Sequence, residues 1–354
     1  MEQHRIYDVW KGEQSKLFAI VSANRRRIFG DEPPGMGDLQ FFEEYLYHKE
    51  RAEHDLYHFR SIATGIKVNY ASSLCKLDRK TVNTIFVTFH LGSYRSLPLY
   101  LGYMGVNMAV AVDNQTYSDQ HDHLIADVYN KMDWDAGRFE IVNVEKSGGG
   151  IALVNEIKKK NNLVFYLDGN TGLEGSATLP LGLLGKPING RLGIPYLSHL
   201  LQLRIVPVFS YREGDKLKMD VLAPILPQAG ESREAYGERV LRNLWKRFED
   251  YLQRYAPQWE GWAYLQKNLA PPDQGQRPRA ALRFNKQRFV PILSDDRKYL
   301  FDKETFESVV IPERFVGLAD KMVREEVLPA GLMNSENLVF FKNMLVLDVL
   351  QNKQ

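Results

Sequence analysis

The sequence predicts an α/β fold in which a largely parallel central sheet is flanked by helices, with N-terminal helices and a small C-terminal β-plus-helix module. Short β-rich runs stand at 84–89, 108–112, 139–142, 163–167, 205–209 and 217–222. Helical spacings fill most of the intervals, at 93–103, 118–132, 149–160 and 190–202. Strands that alternate with helices need crossover connections, and crossovers pair strands in parallel.

The elements follow in order. Residues 13–29 predict a short basic helix, and Gly30 to Gly37, with Pro33 and Pro34, the turn after it. Over 38–63, Phe42, Tyr45, Leu46, Ala52, Leu56, Phe59 and Ala63 recur every three or four residues, an amphipathic helix closed by Gly65. The apolar stretch Leu179 to Leu203 is interrupted by Pro180, Pro187 and Pro195 and reads as strand, turn and helix. A helix over 231–255 sets Val240, Leu241, Leu244, Trp245, Phe248 and Leu252 on one face. Pro271 to Pro278 is rich in Pro, Gln and Gly, as linkers are. Beyond it, 289–293, 298–302 and 309–311 predict strands, and 312–326 and 334–350 helices. The expected organisation is a helical segment over 1–75 packing on the core, an α/β domain over 76–265 and a C-terminal module over 280–354.

Bulk properties narrow the function. The 354 residues are 44% apolar and 25% charged, ordinary for a globular chain. A net charge of +2 is too small to mark a nucleic-acid binder. Basic groups at Arg25 to Arg27, Lys158 to Lys160 and Arg277 to Arg288 read as solvated surface, the lysines also complementing a helix C-terminus. The one cysteine, Cys75, excludes an intrachain disulfide and reads as a small core filler. No run approaches the ~20 apolar residues of a membrane span, so the expectation is a soluble, cytoplasmic protein, at most peripheral at the inner membrane. No Gly-x-Ser-x-Gly elbow or Walker loop occurs. Ser147-Gly148-Gly149-Gly150 reads as a flexible helix entry, and His121-Asp122-His123 as a solvated loop; no metal site is expected.

Chemistry concentrates in Ile85-Phe86-Val87-Thr88-Phe89-His90-Leu91-Gly92-Ser93-Tyr94-Arg95, where an apolar strand delivers a histidine at its C-terminal end. Ligands of open α/β sheets bind at that edge. Three further blocks follow: Tyr166-Leu167-Asp168-Gly169-Asn170 with Leu184-Gly185-Lys186-Pro187-Ile188; Ile205-Val206-Pro207-Val208-Phe209-Ser210-Tyr211-Arg212; and Pro257-Gln258-Trp259 with Trp262. In this order and spacing the blocks resemble the late acyltransferases of lipid A biosynthesis, within the lysophospholipid-acyltransferase-like superfamily. The segment Asn24 to Gly30 is similar to that family's helical entry, so the resemblance runs over about 15–265. The C-terminal module has no counterpart there; its shape is similar to small winged-helix peptide-recognition domains.

The resemblance implies transfer of an acyl group from an acyl-carrier-protein or coenzyme A thioester to a hydroxyl or amine on a small-molecule, lipid or peptide acceptor. It implies His90 as general base and no cofactor beyond the thioester co-substrate. Backbone N–H groups of Gly92 and Ser93 could supply oxyanion donors, and Arg95 and Arg212 are candidates for substrate binding. The chain departs from the family at one position: the acid five residues after the histidine is Arg95. That acid orients the imidazole and stabilises its charged form, which a guanidinium opposes. Asp168 and Asp113, each following a predicted strand, are the candidate replacements; a turn-capping role is the alternative for Asp168. The competing reading is a non-catalytic member that keeps an acyl- or carrier-protein-binding cleft.

Overall fold

The computed structural model describes residues 13–30, 35–72, 75–123, 138–169, 177–265, 283–325 and 350–351. The chain divides into two compact units, one of residues 43–261 and one of 1–42 with 262–354.

The larger unit is built on a seven-stranded sheet. Its strands are β1 (Lys67–Tyr70), β2 (Thr84–Thr88), β3 (Met108–Val112), β4 (Phe139–Asn143), β5 (Asn162–Tyr166), β8 (Arg204–Glu213) and β9 (Lys216–Val221), in the order β1-β9-β8-β2-β5-β3-β4. Only β8 and β9 pair antiparallel; every other neighbour is parallel. β2 lies at the centre, with Ile85 opposite Leu163 of β5 and Ile205 of β8. All five of its residues are buried, as the continuous apolar run requires of a strand covered on both faces. The main core joins Phe86, Val110, Val164 and Val206 of the sheet to Leu97 and Leu101 of the helix Ser96–Tyr103 and to Leu56 and Phe59.

The helix Arg233–Tyr255 buries Val240, Leu241, Leu244, Trp245, Phe248 and Leu252, the face its spacing predicts, and Ser232 caps it by accepting from Ala235 N–H. Phe248 stacks on Phe89 with ring centroids 4.1 Å apart, and Tyr251 on Phe209 at 4.2 Å. Phe89 directly precedes His90, so this aromatic stack anchors the backbone from which the histidine projects.

Two elements differ from expectation. The stretch read as strand, turn and helix contains a hairpin, β6 (Thr178–Leu183) with β7 (Lys186–Arg191), before the helix Gly193–Leu201. Leu184 and Gly185 form its two-residue turn, both at positive φ, the geometry that closes a tight hairpin. Residues 121–123 have helical backbone at the end of Asn114–His123, as the spacing over 118–132 predicts and not as the loop that His121-Asp122-His123 suggests; their side chains lie outside the described residues.

In the second unit the helix Glu13–Phe29 accompanies the strands Phe289–Ser294, Arg297–Asp302 and Ser308–Val310, an antiparallel sheet, and the helix Val316–Glu325. Arg288 and Asp302 form a buried bidentate pair there. The helix expected over 334–350 lies outside the described residues except at its last position, Leu350, which belongs to the strand Leu350–Gln351. Among the described residues no helix is long and apolar enough to cross a membrane.

Candidate active site

β2 ends at Thr88 and the helix Ser96–Tyr103 begins eight residues later. The loop between them carries His90 to the carboxyl edge of the sheet. β5 is the adjacent strand, and its own C-terminal turn carries Asp168. Parallel pairing in register therefore brings together two side chains that are 78 residues apart in sequence.

The contact is specific. Asp168 Oδ1 lies 2.9 Å from His90 Nδ1. Both Asp168 oxygens accept from the His90 backbone N–H at 3.1 Å, and Oδ2 accepts from the Trp259 indole N–H at 2.5 Å. Asp168 is 2% exposed, so these donors replace the water a buried carboxylate has lost. A carboxylate only accepts, which assigns a ring proton to Nδ1 and makes Nε2 the basic nitrogen of the neutral ring. The His90 side chain is 19% exposed, enough for a reactant to reach it.

Two tyrosines flank the imidazole. Tyr166 stacks on it at 4.8 Å, and Tyr94 meets it edge-on at 4.6 Å. Tyr94 donates its hydroxyl to Glu260 Oε2 at 2.7 Å. Burial, followed by the Glu260 charge, pushes the Tyr94 phenol well up; burial does the same to Tyr166, against the pull of Arg95. Both phenols are therefore neutral donors at ordinary pH.

Arg95 packs its guanidinium over the Tyr94 ring at 4.9 Å. Burial opposes its charge, but Tyr94, Glu260, Tyr166 and Glu53 outweigh burial and raise its pKa above the ordinary arginine value. A cation held over the Tyr94 ring thus occupies the sequence position at which the resemblance leads one to expect an acid.

The remaining candidates are placed differently. Asp113 follows β3, with β5 between it and β2, and its Oδ1 accepts from Thr116 N–H at 2.6 Å, capping the helix Asn114–His123. The structure thus brings Asp168, not Asp113, to the imidazole. Gly92 N–H donates to Gln258 O at 2.8 Å, which commits one of the two expected oxyanion donors. The Ser93 hydroxyl donates to buried Asp55, which is also paired with the buried Arg212 guanidinium. The Arg212 backbone N–H and C=O both bond the Gln258 amide, at 2.8 and 2.9 Å. Arg212 and Ser93 therefore brace the loop with their side chains.

The bracing explains a glycine. Gly92 has φ +55, and a Cβ there would stand 2.8 Å from Ser210 O and 2.9 Å from Tyr211 Cα, both backbone atoms. Gly92→Ala is expected to cost about 2–4 kcal/mol, combining left-handed strain with overpacking, and to appear as a lower denaturation midpoint at unchanged m value.

Sequence reasoning singled out Gln258 and Trp259 as part of a block without giving them a task, and it did not nominate Tyr166, Glu260 or Asp55. Their contacts join elements distant in sequence, so no local spacing announces them.

No family model and no curated protein matches the sequence. Among solved structures, similarity is found to the crystal structure of the 1-acyl-sn-glycerophosphate (LPA) acyltransferase PlsC from Thermotoga maritima, at 15% identity and a TM-score of 0.35, covering 72% of this chain and 99% of that one. At that score the site geometry remains the ground on which function is read.

Proposed function

We propose that this protein is an acyltransferase of the lysophospholipid-acyltransferase-like type, moving an acyl group from an acyl-carrier-protein or coenzyme A thioester to a hydroxyl or amine. The observation that carries this reading is the Asp168–His90 pair at the carboxyl edge of the sheet, with Nδ1 held by the carboxylate. The order of the motif blocks supports acyl transfer as the chemistry that the pair serves.

In this reading Nε2 takes the proton of the acceptor O–H or N–H as that oxygen or nitrogen bonds the thioester carbon. The tetrahedral intermediate then breaks its C–S bond, and the imidazolium returns the proton to the departing thiolate. Asp168 stabilises the imidazolium in between. The hydroxyl of Ser93, on the same loop, is turned to Asp55, which suits direct transfer to the acceptor rather than through a protein ester. The developing oxyanion is stabilised by the Ser93 N–H, and Arg95 contributes to binding the anionic donor. The acceptor is a small molecule, a lipid or a peptide.

The test is turnover of acyl-carrier and coenzyme A thioesters by purified protein, with the acylated acceptor and free thiol read by mass spectrometry. Turnover lost in His90→Ala supports the reading, and donor binding without any turnover would favour a non-catalytic acyl-binding protein. Donor affinity is expected to fall several-fold as salt rises from about 0.05 to 0.5 M, because screening shortens the reach of charges to ~10 Å or less. An affinity unchanged across that range contradicts recognition of an anionic donor.

A further inference from the structure

We propose that Trp259 is a positioning residue of this site: its indole N–H fixes Asp168 and, through Asp168, the tautomer and orientation of His90. The proposal rests on His90 acting as the base.

The geometry of Asp168 poses a problem that Trp259 solves. The His90 backbone N–H is 3.1 Å from Oδ1 and 3.1 Å from Oδ2, so it does not choose between them. A carboxylate held by that donor alone is free to turn and swing both oxygens off Nδ1, and a ring without that acceptor has no fixed tautomer. The indole breaks the symmetry. It occupies Oδ2 at 2.5 Å and leaves Oδ1 to take Nδ1 at 2.9 Å. A hydrogen bond to a charged acceptor is about twice as strong as a neutral one, which suits it to the task.

The indole is itself immobile. Trp259 is 1% exposed, meets Phe248 edge-to-face at 5.2 Å, and forms a backbone bridge with Leu91. The flanking residues hold the same loop: Gly92 N–H donates to Gln258 O, and Glu260 N–H donates to His90 O at 2.8 Å. Gly261 leaves room for the ring, since a Cβ there would lie 2.1 Å from Trp259 Cε2. Trp259 thus binds the imidazole's partner with its side chain while its own segment clamps the imidazole's backbone.

A purely structural account of this hydrogen bond is weakened by a second tryptophan. Trp245 belongs to the same aromatic stack, 5.8 Å from Phe248, and its indole nitrogen is buried without a hydrogen-bond partner among the described residues. The fold therefore tolerates an unpaired indole N–H next door. At position 259 the N–H is spent on the carboxylate that holds the His90 ring.

The experiment compares Trp259→Phe with Trp245→Phe in the full-length protein. Trp259→Phe is expected to lower kcat by about 10- to 100-fold, the worth of one charge-assisted hydrogen bond, with KM within about 2-fold. Trp245→Phe is expected to change stability alone. With 15N-histidine, the neutral His90 ring should be a single Nδ1–H tautomer in wild type and a mixture in Trp259→Phe. A folded Trp259→Phe protein with wild-type kcat, or with an unchanged tautomer, overturns the proposal. Should that variant fail to fold, wild type still decides it: the Trp259 indole proton must move with the His90 ring as pH is varied, and an indole signal indifferent to His90 overturns the coupling. The tautomer measurement needs no substrate, so absence of thioester turnover would refute the acyltransferase reading without touching this one.

Discussion

His90→Ala is expected to reduce thioester turnover by about 10²–10⁴-fold, the usual contribution of a positioned general base, while the protein stays folded. The structural grounds for expecting a folded variant are specific. Phe89 and Leu91, on either side, are buried, whereas the His90 side chain is partly exposed. Asp168 would lose its ring donor but keep the backbone N–H of residue 90 and the Trp259 indole. Water can enter the vacated space from the exposed side and satisfy Oδ1. The checks are single-turnover rate at saturating donor and a denaturation curve on the same preparation. A well-folded variant with near-wild-type turnover would sink the mechanism.

Asp168→Asn should cost about as much, up to ~10⁴-fold, for a different reason. Asparagine fills the same volume, and its oxygen can still accept from the indole. Its amide NH₂ would then face Nδ1, and a donor there forces the ring proton onto Nε2, leaving no lone pair toward the acceptor. A comparable carboxylate-to-amide change in a serine protease produces a loss of that order through the same tautomer error. Asp113→Asn is the control, expected to retain wild-type rate because Asp113 caps a helix beyond β5. Arg95→Glu completes the set and is expected to give no gain, since the place of the missing acid is already filled from β5. A faster Arg95→Glu enzyme with Asp168→Asn unaffected would identify a decayed site instead.

The strands of the central sheet were legible where they are continuous apolar runs, as in Thr84–Thr88 and Met108–Val112. β1 was not: Lys67, Val68, Asn69 and Tyr70 make a four-residue strand at the sheet edge, with alternate residues exposed. β7, Lys-Pro-Ile-Asn-Gly-Arg, lacks any β-branched run and exists because β6 pairs with it across the Leu184-Gly185 turn. The place of His90 at the carboxyl end of a strand could be read from the sequence. The choice between Asp168 and Asp113 could not, because both follow strands and only the sheet order places β5 rather than β3 beside β2. Trp259 was visible as part of a motif, but its contact with Asp168 spans 91 residues and required the fold.

The central position of β2 also shapes how the molecule must be made. Both neighbours of β2 come later in the chain: Ile85 waits for Leu163 and then for Ile205, and the loop it feeds waits for Trp259. Such long-range parallel pairings give a high contact order and slow folding, because chain entropy is lost before the contacts that repay it can form. At ribosomal rates the interval between emergence of His90 and of Trp259 is on the order of 10–30 s. Until Leu163 and then Ile205 emerge within it, Ile85, Phe86 and Val87 form an aggregation-prone strand with open edges. The yield of active protein in a cell is therefore governed as much by chaperone protection of that strand during synthesis as by the stability of the finished fold.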